Sequence, residues 1–129
     1  DVATLAGAPA SGSNVSYTDT GNFAIGSITS NDGTGSTTSS GLNVGTGTVT
    51  LTTTGTVTQS QPITAGTLTL QGANATYTLT NASNAVTTLD ANNNTLTTLS
   101  FRDTGGLTVA GIAASGAVTS ADSRARGAA

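Results

Sequence analysis

"GTVTLTTTGTVTQSQPITAGTLTL" (residues 47–70) contains three short segments that each begin with Gly-Thr and then alternate apolar and polar residues. The same alternation recurs in "TYTLT" at Thr76–Thr80. Alternation with a period of two in Thr- and Val-rich runs, bounded by Gly, Asn and Ser, is typical of β-strands. The Gly and Thr content also leaves no segment with convincing helical periodicity. The sequence therefore predicts an all-β protein.

The spacing between these strands indicates how they are arranged. Two series of residues recur every 19 positions: Leu51, Leu70, Leu89 and Thr108, and also Ile25, Val44, Ile63, Ala82 and Phe101. In a parallel β-helix (β-solenoid), such residues stack on successive coils at ~4.8 Å. We therefore predict a β-solenoid with coils of about 19–21 residues, with Thr on its outer faces and Gly or Asn at its corners. A β-sandwich is the alternative, because it also has short, regularly spaced strands.

Composition narrows the classes of function. The 129 residues include 29 Thr, 17 Gly, 14 Ser and 10 Asn, but no Cys, His, Lys, Glu, Met or Trp. Without His and Cys, the commonest metal ligands and nucleophile–base pairs are missing. Three Arg and a net charge of −3 argue against a nucleic-acid surface, and no apolar run has the length of a membrane span. We therefore predict no enzymatic activity, no catalytic, cofactor-binding or metal-binding residue, and no nucleic-acid or membrane partner.

The chain also contains a longer internal repeat. Residues 2–28 match residues 86–112 without gaps at an offset of 84, and the match includes "SYTDTG" from Ser16 and "SFRDTG" from Ser100. Four coils within that offset would average 21 residues each, which is longer than the 19-residue ladder spacing, so we expect an insertion. The candidate is the segment Thr29–Gly41, which has no apolar residue. We assign residues 1–120 to the solenoid and residues 121–129, with "SRAR" at Ser123–Arg126, to a flexible tail or linker. A start at Asp1 without Met suggests a processed or excised segment.

The repeated Asp-Thr-Gly raises the hypothesis of an aspartic protease, in which two such loops each supply a carboxylate. Asp19 and Asp103 are the candidate pair. Both lie in alternating rather than hydrophobic stretches, and a structural repeat would produce the motif twice by itself. We therefore interpret each copy as a tight turn, in which Asp accepts a local backbone hydrogen bond and Gly21 or Gly105 adopts a positive φ.

Three other patterns have structural explanations. "NDG" at Asn31–Gly33 is interpreted as a turn rather than a calcium loop, and the glycosylation sequons at Asn14, Asn74, Asn81 and Asn93 as products of a Thr- and Asn-rich composition. Thr residues also recur in ranks, as in an ice-binding face: Thr48/Thr50, Thr67/Thr69 and Thr87, and Thr56/Thr58, Thr76/Thr78 and Thr95/Thr97. The simpler interpretation of these ranks is that Thr suits exposed strand positions.

The pattern of "GTVTL", "QPITAGTLTL", "NAVTTL" and "SFRDTGGLTV" resembles the repeat regions of filamentous-haemagglutinin-like exoproteins. These are very large β-strand-repeat adhesins of the two-partner-secretion type in Gram-negative bacteria. The resemblance covers nearly all of the chain except the Arg-containing tail. It implies a secreted, right-handed parallel β-helix that serves as an extended stalk in adhesion, biofilm or cell contact.

From these observations we expect a structural or adhesive extracellular repeat module, forming a stiff rod or stalk of a bacterial surface or secreted protein. The expected partners are neighbouring repeats or copies of the chain stacked end to end, together with glycans or proteins on host or neighbouring cells. One alternative is a subunit of an extracellular filament that assembles through its coil edges. A further alternative is a solenoid that binds ice or carbohydrate.

Overall fold

The computed structural model describes residues 3–31 and 33–122, which form fourteen β-strands and no helix. The strands are β1 (Thr4–Leu5), β2 (Val15–Thr18), β3 (Phe23–Ile25), β4 (Ser27–Asn31), β5 (Ser36–Ser40), β6 (Leu42–Asn43), β7 (Thr48–Thr52), β8 (Thr56–Gln59), β9 (Ile63–Gln71), β10 (Thr76–Leu79), β11 (Ala85–Leu96), β12 (Thr98–Asp103), β13 (Thr108–Ala114) and β14 (Val118–Asp122). The last strand thus extends past the predicted end of the solenoid at position 120, and Ser123–Arg126 lies outside the described residues.

The strands form two parallel sheets that the chain visits alternately. Sheet A has the spatial order β1-β3-β8-β10-β12-β14, and sheet B has the order β13-β11-β9-β7-β2, with β6 also pairing with β9. Every strand pair within these two sheets is parallel, as expected when each coil adds one strand to each sheet. The β-solenoid prediction is therefore confirmed, and the β-sandwich alternative is wrong.

The coils have nearly constant length except at one insertion. Partner residues on successive coils are 18–22 positions apart, but Val15 pairs with Val49 and Phe23 with Val57, 34 positions away. The extra residues form the antiparallel hairpin β4–β5, which is almost entirely exposed. Its base is closed by a hydrogen bond of 2.8 Å from Gly41 N to Gly26 O. The structure therefore confirms the insertion predicted at Thr29–Gly41.

The core lies between the sheets and consists of inward-facing aliphatic and aromatic side chains. In sheet B the central ladder is Val15, Val49, Leu68, Leu89 and Val109, and in sheet A it is Phe23, Val57, Tyr77, Leu99 and Val118. The predicted series starting at Ile25 is wrong, because Ile25 and Phe101 belong to sheet A, Ile63 belongs to sheet B and Ala82 is exposed. In the other series only Leu51 and Leu70 pair as predicted, since Leu89 pairs with Leu68, and Thr108 with Thr88.

The two copies of the internal repeat lie in opposite sheets. β1 and β3 belong to sheet A, whereas their counterparts in the second copy belong to β11 and β13 of sheet B. From β1, three coils lead to β10 and half a coil more leads to β11. The repeat therefore spans three and a half coils plus the hairpin, rather than four coils. The second copy is turned by half a rotation about the solenoid axis and shifted by about 17 Å along it.

Candidate functional site

The first Asp-Thr-Gly turn lies where the chain leaves β2 of sheet B. The Asp19 carboxylate is buried, accepting a hydrogen bond of 3.0 Å from Gly21 N at one oxygen and one of 2.9 Å from the Tyr17 hydroxyl at the other. Desolvation raises the pKa of Tyr17, and the hydrogen bond and negative charge of Asp19 raise it further. The Tyr17 ring also packs edge-on against Phe23, with 5.0 Å between ring centroids. Asp19 thus fixes the aromatic side chain at this corner.

The second Asp-Thr-Gly turn uses its carboxylate differently. Asp103 is only 2% exposed, and its oxygens accept hydrogen bonds of 2.8 Å from Val86 N and 3.2 Å from Gly105 N. Phe101 occupies the repeat position of Tyr17 and has no hydroxyl to donate. The oxygen that would bind that hydroxyl instead binds the backbone at the start of the neighbouring coil's strand. The two copies therefore share the local turn but differ in the contact that each makes beyond it.

The structure does not bring these two carboxylates together. Asp19 lies at the corner that leads from sheet B to sheet A, and Asp103 at the corner that leads from sheet A to sheet B. These corners are on opposite edges of the solenoid and three and a half coils apart, so the pair cannot share a proton. The predicted local hydrogen bond is present in both turns. The predicted positive φ is wrong, because neither Gly21 nor Gly105 is among the glycines with that conformation.

Asn side chains at the corners bind the backbone of neighbouring coils. The Asn14 Oδ1 accepts a hydrogen bond of 3.0 Å from Thr48 N, and the Asn22 Oδ1 accepts one of 2.7 Å from Thr56 N. In both cases the donor is the first residue of a strand on the next coil. These amides supply acceptors for strand ends that would otherwise lose their ladder partner. The sequence-based expectation that Asn occupies corners is therefore confirmed for Asn14 and Asn22, whereas Asn43 and residues 92–94 lie within β6 and β11.

Asn84 is the centre of the most extensive of these networks, and the sequence analysis did not identify it. Its side chain is fully buried, and its Oδ1 accepts hydrogen bonds from Gln59 Nε2 and Ile63 N at 2.7 and 2.8 Å. Its Nδ2 lies 2.9–3.2 Å from three acceptors, namely Gln59 Oε1, Leu79 O and Arg102 O. One amide thus connects the strands of three consecutive coils. Its position in a "N-x-V" sequence was the only available signal, and that signal does not reveal its partners.

Tyr77 carries another buried polar group of the core. Its ring is fully buried, and its hydroxyl lies 2.9 Å from Leu51 O and 2.7 Å from Gln71 O. Burial raises the pKa of this hydroxyl well above its usual value, and backbone hydrogen bonds offset only part of that shift. Within the described residues, no buried side-chain nitrogen or oxygen lacks a hydrogen-bond partner. Hydrogen bonds within the solenoid therefore account for the buried polar groups of the described core.

The Thr ranks are in register, but not entirely as predicted. On sheet B the rank is Thr48, Thr67, Thr88 and Thr108, with Thr50 and Thr69 beside it, and on sheet A it is Thr56, Thr76 and Thr98. The predicted members Thr87, Thr95 and Thr97 are wrong, because Thr88 and Thr98 occupy those places. The second rank of sheet B continues from Thr69 to Asp90. Only two coils therefore carry paired Thr side by side on this face.

The remaining sequence candidates lie in separate places. Asn31 and Gly33 form the tip of the hairpin, where Asn31 Oδ1 accepts a hydrogen bond of 2.9 Å from Gly33 N, and Asp32 is outside the described residues. Among the sequon residues, Asn81 binds Ser83 N at 2.8 Å, and Asn74 has a φ of 64°. Among residues 3–31 and 33–122 there is no group of metal-ligating side chains, and no helix that could cross a bilayer.

Among the described residues, two open surface depressions are candidate ligand sites. One has a volume of about 330 Å³ and is lined by Ala3, Asn22, Phe23, Ala24, Thr56 and Thr58. The other, about 210 Å³, lies beside the Asp103 turn. The Asp103 oxygens that approach it already accept backbone hydrogen bonds. Neither depression combines depth with several converging polar groups, the combination typical of small-molecule sites.

Comparison of the chain with protein-family models, curated proteins and solved structures finds no match. The resemblance to filamentous-haemagglutinin-like exoproteins therefore stays a prediction. The fold places the chain in the class of β-solenoid repeat proteins.

Proposed function

We propose that this chain is a structural module of a bacterial surface or secreted protein and forms a segment of a stiff rod or stalk. The observation that supports this role is the unbroken parallel pairing of strands along one axis: six in sheet A, and in sheet B five in one continuous order, with β6 also pairing with β9. Each added coil lengthens such a rod by ~4.8 Å without changing its cross-section. The inward residues of the middle coils are fully buried, so they give the rod a continuous core. Such a module can hold a binding surface at a distance from a cell.

The adhesive part of the proposal concerns the hairpin β4–β5. It is the one described element that departs from the coil outline, and its side chains are almost all exposed. Pairs of hydroxyls meet across its strands, with Ser27 and Ser40 at 2.8 Å and Thr29 and Thr38 at 2.7 Å. These contacts hold a two-stranded, polar arm in a defined shape. The partner class that suits such an arm is a glycan or a polar protein surface on another cell.

Immunogold electron microscopy of the source cells tests the structural role. Antibodies raised against the whole chain should label the cell exterior or shed material at a distance from the envelope. Label confined to the cell interior would refute the extracellular role. For the adhesive part, beads coated with the chain should bind host or neighbouring cells more strongly than beads coated with a chain that lacks residues 27–40. Equal binding of the two bead types would remove the hairpin from the proposal.

Ice or carbohydrate binding is the second candidate, and the four-membered Thr rank of sheet B favours it. Thr48, Thr67, Thr88 and Thr108 present hydroxyl and methyl groups at a repeat of ~4.8 Å. Thermal hysteresis and glycan-array binding test this candidate with Thr67→Tyr, using Thr76→Tyr on sheet A as the matched control. Activity that is lost only in Thr67→Tyr would support the candidate, whereas no activity in the unmodified chain would eliminate it.

A further inference from the structure

The strands at the two ends of the described solenoid are paired on one side only. β1 and β2 form one end face, and β13 and β14 form the other. Apolar side chains at these ends are only partly buried, namely Leu5, Val15 and Tyr17 at one end and Leu107, Ile112 and Ala114 at the other. Val118 on β14 is 47% exposed, whereas inward residues of the middle coils such as Leu68 are at 0%. Both end faces therefore present unsatisfied strand edges together with apolar surface.

The internal repeat makes these two end faces complementary. β13 already pairs with β11 through Thr88–Thr108 and Leu89–Val109. Thr4 and Leu5 of β1 are the repeat counterparts of Thr88 and Leu89. The β1 strand of another copy can therefore offer the free edge of β13 the same Thr and Leu that β11 offers to its other edge.

The adjoining strands follow the same relationship. β14 pairs with β12 through Leu99–Val118 and Ser100–Thr119. The repeat counterparts of Leu99 and Ser100 are Val15 and Ser16 on β2. β2 of another copy can thus offer the free edge of β14 an inward apolar residue, Val15, and an outward serine, Ser16. β12 offers the corresponding Leu99 and Ser100 to the other edge of β14. Each end strand would then lie between two strands of similar sequence.

We propose that a second copy of this chain stacks head to tail on the β13–β14 end, turned by half a rotation about the solenoid axis. In this arrangement β1 of the second copy pairs with β13, and β2 pairs with β14. The rotation is required because β1 and β14 both belong to sheet A. Stacking without rotation would leave one strand position of sheet B empty. The same half-turn already relates the two repeat copies within the chain.

The contact is heterologous, since it uses two different surfaces of each copy, and it does not close on itself. Repetition therefore produces a filament in which both sheets continue from copy to copy. This inference rests on the structural role proposed above, and it names the partner through which that role is extended. The interface would also bury the apolar residues that the end coils leave half-exposed.

Cysteine cross-linking tests the orientation, and the absence of native Cys makes the result unambiguous. Directly paired residues on neighbouring strands lie within the Cα separation that a disulfide spans, roughly 4.4–6.8 Å. The double variant Ser16→Cys/Thr119→Cys should form a ladder of disulfide-linked oligomers on mild oxidation. Thr4→Cys/Thr119→Cys reports stacking without rotation and should stay monomeric. The reverse result would overturn the half-turn arrangement.

Sedimentation of the full chain over a range of concentrations tests the association itself. The unmodified chain should form larger species as its concentration rises, and Val118→Asp should remain monomeric because it places a charge in the interface. Ile28→Asp is the matched control, since Ile28 is 42% exposed but lies on the hairpin. Association that is lost in Ile28→Asp and kept in Val118→Asp would place the contact on the hairpin and overturn the proposal. An unmodified chain that is monomeric throughout would overturn stacking, whereas the structural role is judged separately by the immunogold label.

Discussion

The side-chain amides of Gln59 and Asn84 pair with each other across two consecutive coils, with Nε2 to Oδ1 at 2.7 Å and Nδ2 to Oε1 at 3.0 Å. Gln59 ends β8, and Asn84 follows β10 at the same corner of the next coil. Asn84 also binds the backbone at Ile63 and Arg102, so the pair fixes how the strands of three coils are aligned. A corner whose buried polar groups are hydrogen-bonded in this way favours a single register of the coils.

We predict that Asn84→Ala destabilises the protein by about 3 kcal/mol, because the substitution leaves several buried backbone groups without partners. Chemical denaturation followed by circular dichroism measures this change. Asn81→Ala is the matched control, since Asn81 is only partly buried, its Oδ1 binds one local donor, Ser83 N, and its Nδ2 makes only a long hydrogen bond of 3.4 Å to Ser60 O. The control should lose less than about 1 kcal/mol. Equal losses in the two variants would show that the Asn84 network adds no special stability.

Gly72 and Gly105 should differ sharply in their tolerance of a side chain. Gly72 has a φ of 110°, and a Cβ there would overlap the carbonyl oxygen of Thr53. Gly72→Ala should therefore cost about 3 kcal/mol or more, or prevent folding. Gly105 has no positive φ, and a Cβ there meets nothing within 4 Å. Gly105→Ala should change the free energy of unfolding by less than about 0.5 kcal/mol. A large loss of stability would instead support the positive φ that the sequence alone predicted for Gly105.

The strand class and coil length could be predicted from the sequence because they depend on local chemistry. Alternating Thr and apolar residues favour a strand, and the recurrence of Gly-Thr marks each new one. The ladders could not be predicted from a fixed spacing, since corners add or remove residues. Leu89 pairs with Leu68 rather than with Leu70, because that coil is slightly longer than the ladder spacing. Small differences of this kind accumulate over successive coils.

The contacts of the candidate sites could also be predicted only where they are local in sequence. The Asp19 and Asp103 turns were predictable in part, because each contains a hydrogen bond between residues two positions apart. The partners of Asn84 are 18–25 residues away in sequence, apart from Leu79. They depend on which coils become neighbours. A single sequence does not carry that information until the register is known.

Exchange of the two repeated carboxylates for amides should have unequal effects. Asp103→Asn replaces one of two acceptors that bind backbone N–H groups, so it should cost about 1–2 kcal/mol. Asp19→Asn keeps an acceptor for Gly21 N and can donate its N–H to the rotated Tyr17 hydroxyl, and its cost should be under about 1 kcal/mol. Thermal or chemical unfolding at neutral pH measures both variants. A larger loss in Asp19→Asn would contradict the assigned hydrogen bonds.

Tyr77 should make the protein less stable at high pH. Its pKa is raised in the folded chain, so above about pH 10 the unfolded chain loses a proton that the folded chain retains. Stability is therefore fully present below pH 10 and falls as pH rises above it, by up to about 1.4 kcal/mol per pH unit. Denaturation series from pH 8 to about 12 measure the slope, and Tyr77→Phe should flatten it despite a lower stability at neutral pH. Tyr17→Phe is the comparison variant: the pKa of Tyr17 is also raised, so this variant should lose part of the slope, but it should keep most of it because Tyr17 is only partly buried.

Deletion of residues 27–40 should leave the solenoid folded. Gly26 O and Gly41 N are already hydrogen-bonded at 2.8 Å, so the two glycines can be joined after only a local adjustment. The deletion removes only the hairpin, and it brings the sequence separation between paired strands on this coil into the range found for the other coils. The free energy of unfolding should change by no more than about 1 kcal/mol, because almost all of the lost side chains are exposed and contribute little burial. Circular dichroism and denaturation check this result.

A deletion of the same length at residues 63–76 is the control and should abolish folding, since it removes β9 from the centre of sheet B. If the chain without the hairpin also failed to fold, the hairpin would be shown to contribute to the stability of the coils.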